Sequence, residues 1–169
     1  MLTCPATVNG ECDDDIPAPF ANFAAFIAGG GTASDNCGIN PSTFSLMQTD
    51  MGTCPRTITR TYQVADSCGN TGQCIQTIII DDPEPPMITC PATVNGECDD
   101  DIPPAFSTFA AFIAGGGSAT DNCGLNVSTF TMTQTDMGTC PRTIVRTYQI
   151  ADSCGNTGQC VQSVIIDDP

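Results

Sequence analysis

The chain has no histidine, no lysine and no tryptophan, and only four arginines among its 169 residues. Without histidine or lysine it lacks the side chains that most often act as a general base near neutral pH. Its twelve cysteines form an even set with no odd thiol to serve as a nucleophile, so the reading is that the chain is not an enzyme. The missing lysine also rules out lysine–asparagine isopeptide crosslinks. With no tryptophan and only Tyr62 and Tyr148 as tyrosines, a sugar-stacking surface is not encouraged. No Cys-x-x-Cys pair occurs, which argues against a zinc site. No apolar run approaches the roughly 18 residues of a membrane span, and no leader precedes Leu2.

Positive charge is the scarcest commodity. Against Arg56, Arg60, Arg142 and Arg146 stand 19 acidic residues, a formal net charge of −15. Such a field repels nucleic acid and anionic membrane surfaces and favours solubility and bound cations.

What the chain does have is a second copy of itself. Met1 to Pro83 recurs from Met87 to Pro169 at an offset of 86, without gaps, and 66 of the 83 aligned pairs are identical. Each copy carries six cysteines. A duplication of this kind is a tandem array of small crosslinked modules: repeat 1 over 1–83, a linker over 84–86 and repeat 2 over 87–169. The sequence running into that linker, Asp81-Asp82-Pro83-Glu84-Pro85-Pro86, has prolines that fix φ and stiffen the connection. Both termini align with mid-array sequence. They read either as cuts within a longer array or as the joints of a polymer of short chains, with Asp167-Asp168-Pro169 of one chain meeting Met1-Leu2-Thr3 of the next.

Within a copy, the second half reads as β-structure. Arg56 to Asp66 alternates polar and apolar residues, Cys68 to Gly72 is a turn, and Gln73 to Ile80 is a second strand, together an antiparallel hairpin. Ser42 to Gln48 precedes them as a strand, and Thr3 to Val8 opens the domain as another. Phe20 to Ala28 breaks the pattern. Phe20, Phe23, Phe26 and Ile27 recur at helical spacing between Pro19 and Gly29-Gly30-Gly31, which predicts a short helix with an apolar core face; a buried strand is the alternative.

A domain of this size gains stability from crosslinks, and six cysteines can supply three. Disulfides would place the protein in an oxidising compartment, extracellular or at the cell surface. Sequence alone leaves fifteen pairings open. If the first strand runs parallel beside the last, strand order favours Cys4–Cys74, Cys37–Cys68 and Cys12–Cys54, repeated as Cys90–Cys160, Cys123–Cys154 and Cys98–Cys140. Cys54 and Cys68 flank one extended strand and are too distant to bond.

Thr3-Cys4-Pro5, Ser34-Asp35-Asn36-Cys37-Gly38, Thr53-Cys54-Pro55-Arg56, Ala65-Asp66-Ser67-Cys68-Gly69-Asn70-Thr71 and Gln73-Cys74, with their counterparts through Gln159-Cys160, resemble bacterial hyalin-repeat-like (HYR-like) domains. The resemblance implies immunoglobulin-like β-sandwich modules of long secreted or surface proteins, with roles in adhesion or fibre building. It also implies a first-to-last cysteine pair, and it carries no catalytic residues.

The candidate chemistry is acidic. Calcium takes six to eight oxygen ligands. Asp81, Asp82 and Glu84 of the linker, Asp13, Asp14 and Asp15 with Asp50, and Asp121 and Asp152 beside Asn122 are the candidate calcium ligands at an inter-module joint. The linker is similar in character to the acidic inter-domain linkers of cadherins. The competing reading is that aspartates such as Asp35, Asp66, Asp121 and Asp152 only tie turns. Arg56 and Arg60, four apart on one strand face, are expected to pair with local aspartates. Asn126-Val127-Ser128 is a glycosylation sequon.

The expected function is an extracellular structural protein, tandem modules forming a rod or filament with itself as partner. The alternatives are the stalk or ligand-binding region of a surface adhesin and, further off, a protease inhibitor.

Overall fold

The computed structural model describes residues 1–167. It is mainly β and divides into two compact units, Met1–Asp82 and a second beginning at Pro83. Each is a disulfide-stapled β-sandwich module with one short helix.

In the first unit the strands are β1 (Leu2–Thr3), β2 (Val8–Gly10), β3 (Thr32–Ala33), β4 (Ile39–Met51), β5 (Arg56–Asp66) and β6 (Thr71–Ile80), with helix α1 at Phe23–Ala28. The main sheet has the order β2-β6-β5-β4, and β1 pairs with β3 in a small second sheet. The second unit repeats this with β7 (Met87–Thr89), β8 (Val94–Gly96), α2 (Phe109–Ala114), β9 (Ser118–Thr120), β10 (Leu125–Met137), β11 (Arg142–Asp152) and β12 (Thr157–Ile166).

The expected hairpin is present. β5 and β6 pair antiparallel from Arg56↔Ile80 to Ala65↔Thr71. Because side chains alternate across a strand, Ile58, Arg60, Tyr62 and Val64 of β5 point to the covered face and are buried. Thr57, Thr59, Thr61 and Gln63 point outward. The same alternation turns Cys74, Gln76, Ile78 and Ile80 of β6 inward and Ile75, Thr77 and Ile79 outward. Outward Met47, Thr49 and Met51 of β4 stand opposite Thr61, Thr59 and Thr57.

Three expectations shift. The predicted first strand is broken into β1 and β2, with Pro5 in the gap. Only β2 runs parallel beside β6, pairing Val8↔Ile78 to Gly10↔Ile80. The strand over Ser42 to Gln48 extends to Ile39–Met51 and carries a bulge between Asn40 and Ser45. Thr43 fills that bulge: its Oγ1 donates to Asn40 O at 2.7 Å and accepts from Ala65 N at 2.8 Å. The helix begins three residues later than predicted, at Phe23. Asn22 is its N-cap and accepts from Ala25 N at 2.9 Å, which satisfies one of the free donors of the first turn. Pro19 and Phe20 therefore lie in an extended segment ahead of the helix.

The phenylalanines are core, as their spacing implied. Phe26 is fully buried, and its ring centroid lies 5.2 Å from that of Tyr62, 5.5 Å from Phe44 and 5.8 Å from Phe20. Ile27, assigned to the same face, is 41% exposed. The glycines after the helix do more than cap it. Gly30 has φ +95°, and a Cβ at Gly31 would collide with the Phe26 ring. A second small core of Ile58, Ile78 and Ile80 takes in Val8 and Ile16.

Cys4–Cys74 and Cys90–Cys160 are formed, each with Cα atoms 5.5 Å apart. Cys12 and Cys54 are also disulfide-bonded, as are Cys123 and Cys154. The expected Cys37–Cys68 and Cys98–Cys140 bonds are absent: Cys37, Cys68 and Cys98 are exposed thiols. Cys37 and Cys68 each sit in a turn tied to its own aspartate, through Cys37 N to Asp35 and Cys68 N to Asp66, both at 2.8 Å. The same ties stand in the second unit, through Cys123 N to Asp121 and Cys154 N to Asp152, where both cysteines are disulfide-bonded. The Cys140 Sγ lies 3.9 Å from Asp167 Oδ1. Each of these pairs has bonded equivalents in the other, nearly identical unit, so the fold accommodates all three crosslinks. Disulfides of this number suit an oxidising compartment. No helix among the described residues is long and apolar enough to cross a membrane.

Candidate functional site

The acidic residues singled out in the sequence separate into three groups with different partners. At the far end of β5, Asp13 and Asp50 are tied to Arg56. Its Nη1 donates to Asp13 Oδ1 at 2.7 Å, and Nε and Nη2 grip both oxygens of Asp50. Arg142 repeats this with Asp99 and Asp136. Hydrogen bonds from Arg56 hold the Asp50 carboxyl below its ordinary value and raise the guanidinium. Asp15 caps the turn it sits in, accepting from Glu11 N at 2.8 Å and Cys12 N at 3.0 Å, and these two backbone bonds lower its pKa. Asp14 is exposed.

Arg60 departs from expectation. Although it lies on the same strand face as Arg56, it is buried and its donors go to Gln48 Oε1 at 2.9 Å and Pro17 O at 2.7 Å, not to an aspartate. It pins the extended segment ahead of α1 against the sheet. The Tyr62 hydroxyl does the same, accepting from Phe20 N at 3.5 Å.

The second group stands in the linker. Asp81 N donates to Gly10 O at 3.0 Å, and its Oδ1 is 3.5 Å from Cys54 Sγ. Asp82, the last residue of the first unit, is buried. Glu84 belongs to the second unit, where its carbonyl accepts from Asn156 Nδ2 at 3.4 Å.

The third group lies where the chain comes into each unit. Asp66 holds the β5–β6 turn: Oδ1 accepts from Cys68 N and Asn70 N, and Oδ2 accepts from Asn70 Nδ2 at 2.7 Å. The Asn70 side chain foremost, with those backbone donors, lowers its pKa. Asp35, Asp66 and Asn70 border a cavity of about 100 Å³ beside Leu2, Val64 and Gly72. In the second unit, Asp152 ties the equivalent turn through Cys154 N, Asn156 N and Asn156 Nδ2. Asp121 Oδ1 accepts from Cys123 N and Gly124 N. So all four turn aspartates tie turns, and they do so at one end of each unit.

Asp121 and Asp152 also bring carboxylate oxygens within 4.8 Å of each other. Asp121 Oδ2 is buried without a hydrogen-bond donor. Two close carboxylates, one with an idle oxygen, suit a hard divalent cation in donor chemistry, but calcium requires six to eight oxygens and this pair leaves most of that shell unfilled.

One feature the acidic motifs obscured is where charge is absent. Among the described residues, no acidic or basic side chain occupies the outward face of a main sheet. The signal was in the sequence, as the uncharged alternate positions of Arg56 to Asp66 and Gln73 to Ile80. Only strand register shows that they form one surface.

Compared with known protein families and with characterised proteins, the chain matches none.

Proposed function

We propose that the chain is a load-bearing segment of an extracellular surface or matrix protein, built from tandem HYR-like modules strung into a rod or filament. The observation that carries this reading is the path of the chain through each unit. It arrives at β1, where Leu2 lies beside Gly72 at the start of β6, and departs from Ile80 at the other end of the same strand. At about 3.3 Å per residue these points are about 26 Å apart. Tension along the array therefore runs down the length of β6.

Cys4–Cys74 sits near the arriving end and closes a 70-residue separation. Force arriving at Cys4 crosses the sulfur bridge to Cys74 and continues along β6. The residues between them, including Phe26, Ile58, Tyr62 and Val64 of the two small cores, carry none of it. A second unit with the same crosslink, Cys90–Cys160, repeats the device. Calcium held by Asp121 and Asp152 at the arriving end of the second unit forms part of the same proposal, and calorimetric titration with calcium tests that part by itself.

The experiment is single-molecule extension of the whole chain, oxidised and then reduced. Of an 83-residue copy, only the residues outside the 70-residue crosslinked loop are free to extend. At about 3.6 Å per residue the oxidised copy extends to about 45 Å of contour, and the reduced copy to about 300 Å. Full-length release from the oxidised chain would show that load does not pass through the bridge and would remove the proposal.

A further inference from the structure

The main sheet of each unit has one face covered by the helix, the small second sheet and the extended segment. Its other face is bare. In the first unit the bare face exposes Met47 (69%), Met51 (70%) and Ile75 (60%) between rows of threonine. In the second it exposes Met137 and Val161 at 57% each. Solvated surfaces usually carry about a quarter to a third charged residues. Here every outward strand position is neutral, in a chain with net charge −15. The acidic groups are confined to loops, strand ends and, through Asp50 and Asp136, to the opposite side of the edge strand.

We propose that these bare faces are the surfaces through which copies of this chain associate side by side, sheet against sheet. The occupant is a second copy of the chain for two reasons. First, at −15 two copies repel through every surface that carries the acidic groups, and the neutral face is where they can approach without bringing like charges together. Second, the area suffices. Three strands at about 4.8 Å spacing and about ten residues at about 3.3 Å give about 500 Å² for each face. Two such faces in contact bury about 1,000 Å², the lower limit of a specific interface, and a chain carries two of them. Threonine, isoleucine and valine at alternate positions present the β-branched relief that interdigitates when sheets stack about 10 Å apart. Unbranched Met47, Met51 and Met137 adapt to whatever register results.

The inference does not rest on load-bearing. It concerns lateral contact, whereas the preceding proposal concerns tension along the chain.

The test is sedimentation velocity of the full oxidised chain over a concentration series, at low and at high salt. Three proteins are compared: the wild type, Ile75→Glu with Val161→Glu on the bare faces, and Ala24→Glu with Ala110→Glu on the exposed sides of the helices. Circular dichroism establishes that all three are folded. The wild type and the helix variant are expected to associate alike, more strongly at high salt, where mutual repulsion is screened. The face variant, which places like charges opposite each other, is expected to associate about a hundredfold more weakly. A wild type that stays monomeric at every concentration and salt overturns the proposal. So does a face variant that associates as well as the wild type; that result would remove the bare faces as the association surface and leave the load-bearing reading intact.

Discussion

Replacing Phe26 with alanine removes the centre of the first unit's core. The ring is completely buried and has four aromatic neighbours: Phe20, Phe23, Phe44 and Tyr62, with centroids between 5.2 and 6.4 Å away. A buried Phe→Ala change costs about 3–5 kcal/mol, because transfer energy and a cavity are both lost. Aromatic pairs add about 0.5–1.5 kcal/mol beyond area burial, which places this site at the upper end. A domain of this size has about 4–12 kcal/mol of stability at the usual per-residue value. The loss is therefore a large share of the total. At about 4–8 °C per kcal/mol, the transition of the first unit should fall by about 20–40 °C. Scanning calorimetry reads this directly, and Phe112→Ala should do the same to the second unit, where Phe112 is equally buried among Phe106, Phe109, Phe130 and Tyr148. Phe26→Leu, which keeps most of the volume, should cost less than half as much. A shift of under about 4 °C for Phe26→Ala, equivalent to about 1 kcal/mol, would refute the view that this aromatic cluster holds the module together.

Two further predictions concern the staples and the turn aspartates. Cys4→Ser with Cys74→Ser opens a loop of 70 residues, which the chain-entropy relation values at about 4 kcal/mol; chemical denaturation at fixed temperature should show a loss of that order, and an unchanged midpoint would refute it. Asp15, Asp50, Asp66, Asp101 and Asp136 all have pKa values below the ordinary 3.8. Their contribution is present above the unfolded value and is lost as pH falls through the lower folded values. The denaturation midpoint, measured in high salt to screen the relief of self-repulsion on protonation, should hold from pH 6 to about 5 and fall below about 4; a midpoint that rises steadily down to pH 2 would contradict the hydrogen bonds assigned to these carboxylates.

The load path and the bare face bear on one another. If tension runs down β6, then a lateral partner on the outward side of the same sheet sits against the strand that carries it. Thr77 and Ile79 of that strand face outward while Ile78 and Ile80 face the core. Side-by-side contact between copies would thus support the loaded strand from the side that the module itself leaves uncovered.

Much of this was legible in the sequence because it is local. The period-two alternation of Arg56 to Asp66 determined both the strand and its inward residues. The 86-residue offset determined that there are two equivalent modules, and the cysteine count determined that they are stapled. The Phe20–Ala28 spacing determined a helix, though its start at Phe23 depended on whether Asn22 could cap it. Other features were decided by tertiary structure, because they depend on residues far apart in the chain. Asp13 meets Arg56 across 43 positions, and buried Arg60 reaches Pro17 across the same distance. The first strand does run parallel beside the last, as supposed, but only through β2, Val8–Gly10, after the break at Pro5 that the reading of one strand over Thr3 to Val8 did not contain. The neutral outward face was written as scattered threonines, methionines and isoleucines on three strands. Register assembled them into one surface, since side chains that share a face only by pairing across strands have no fixed spacing in sequence.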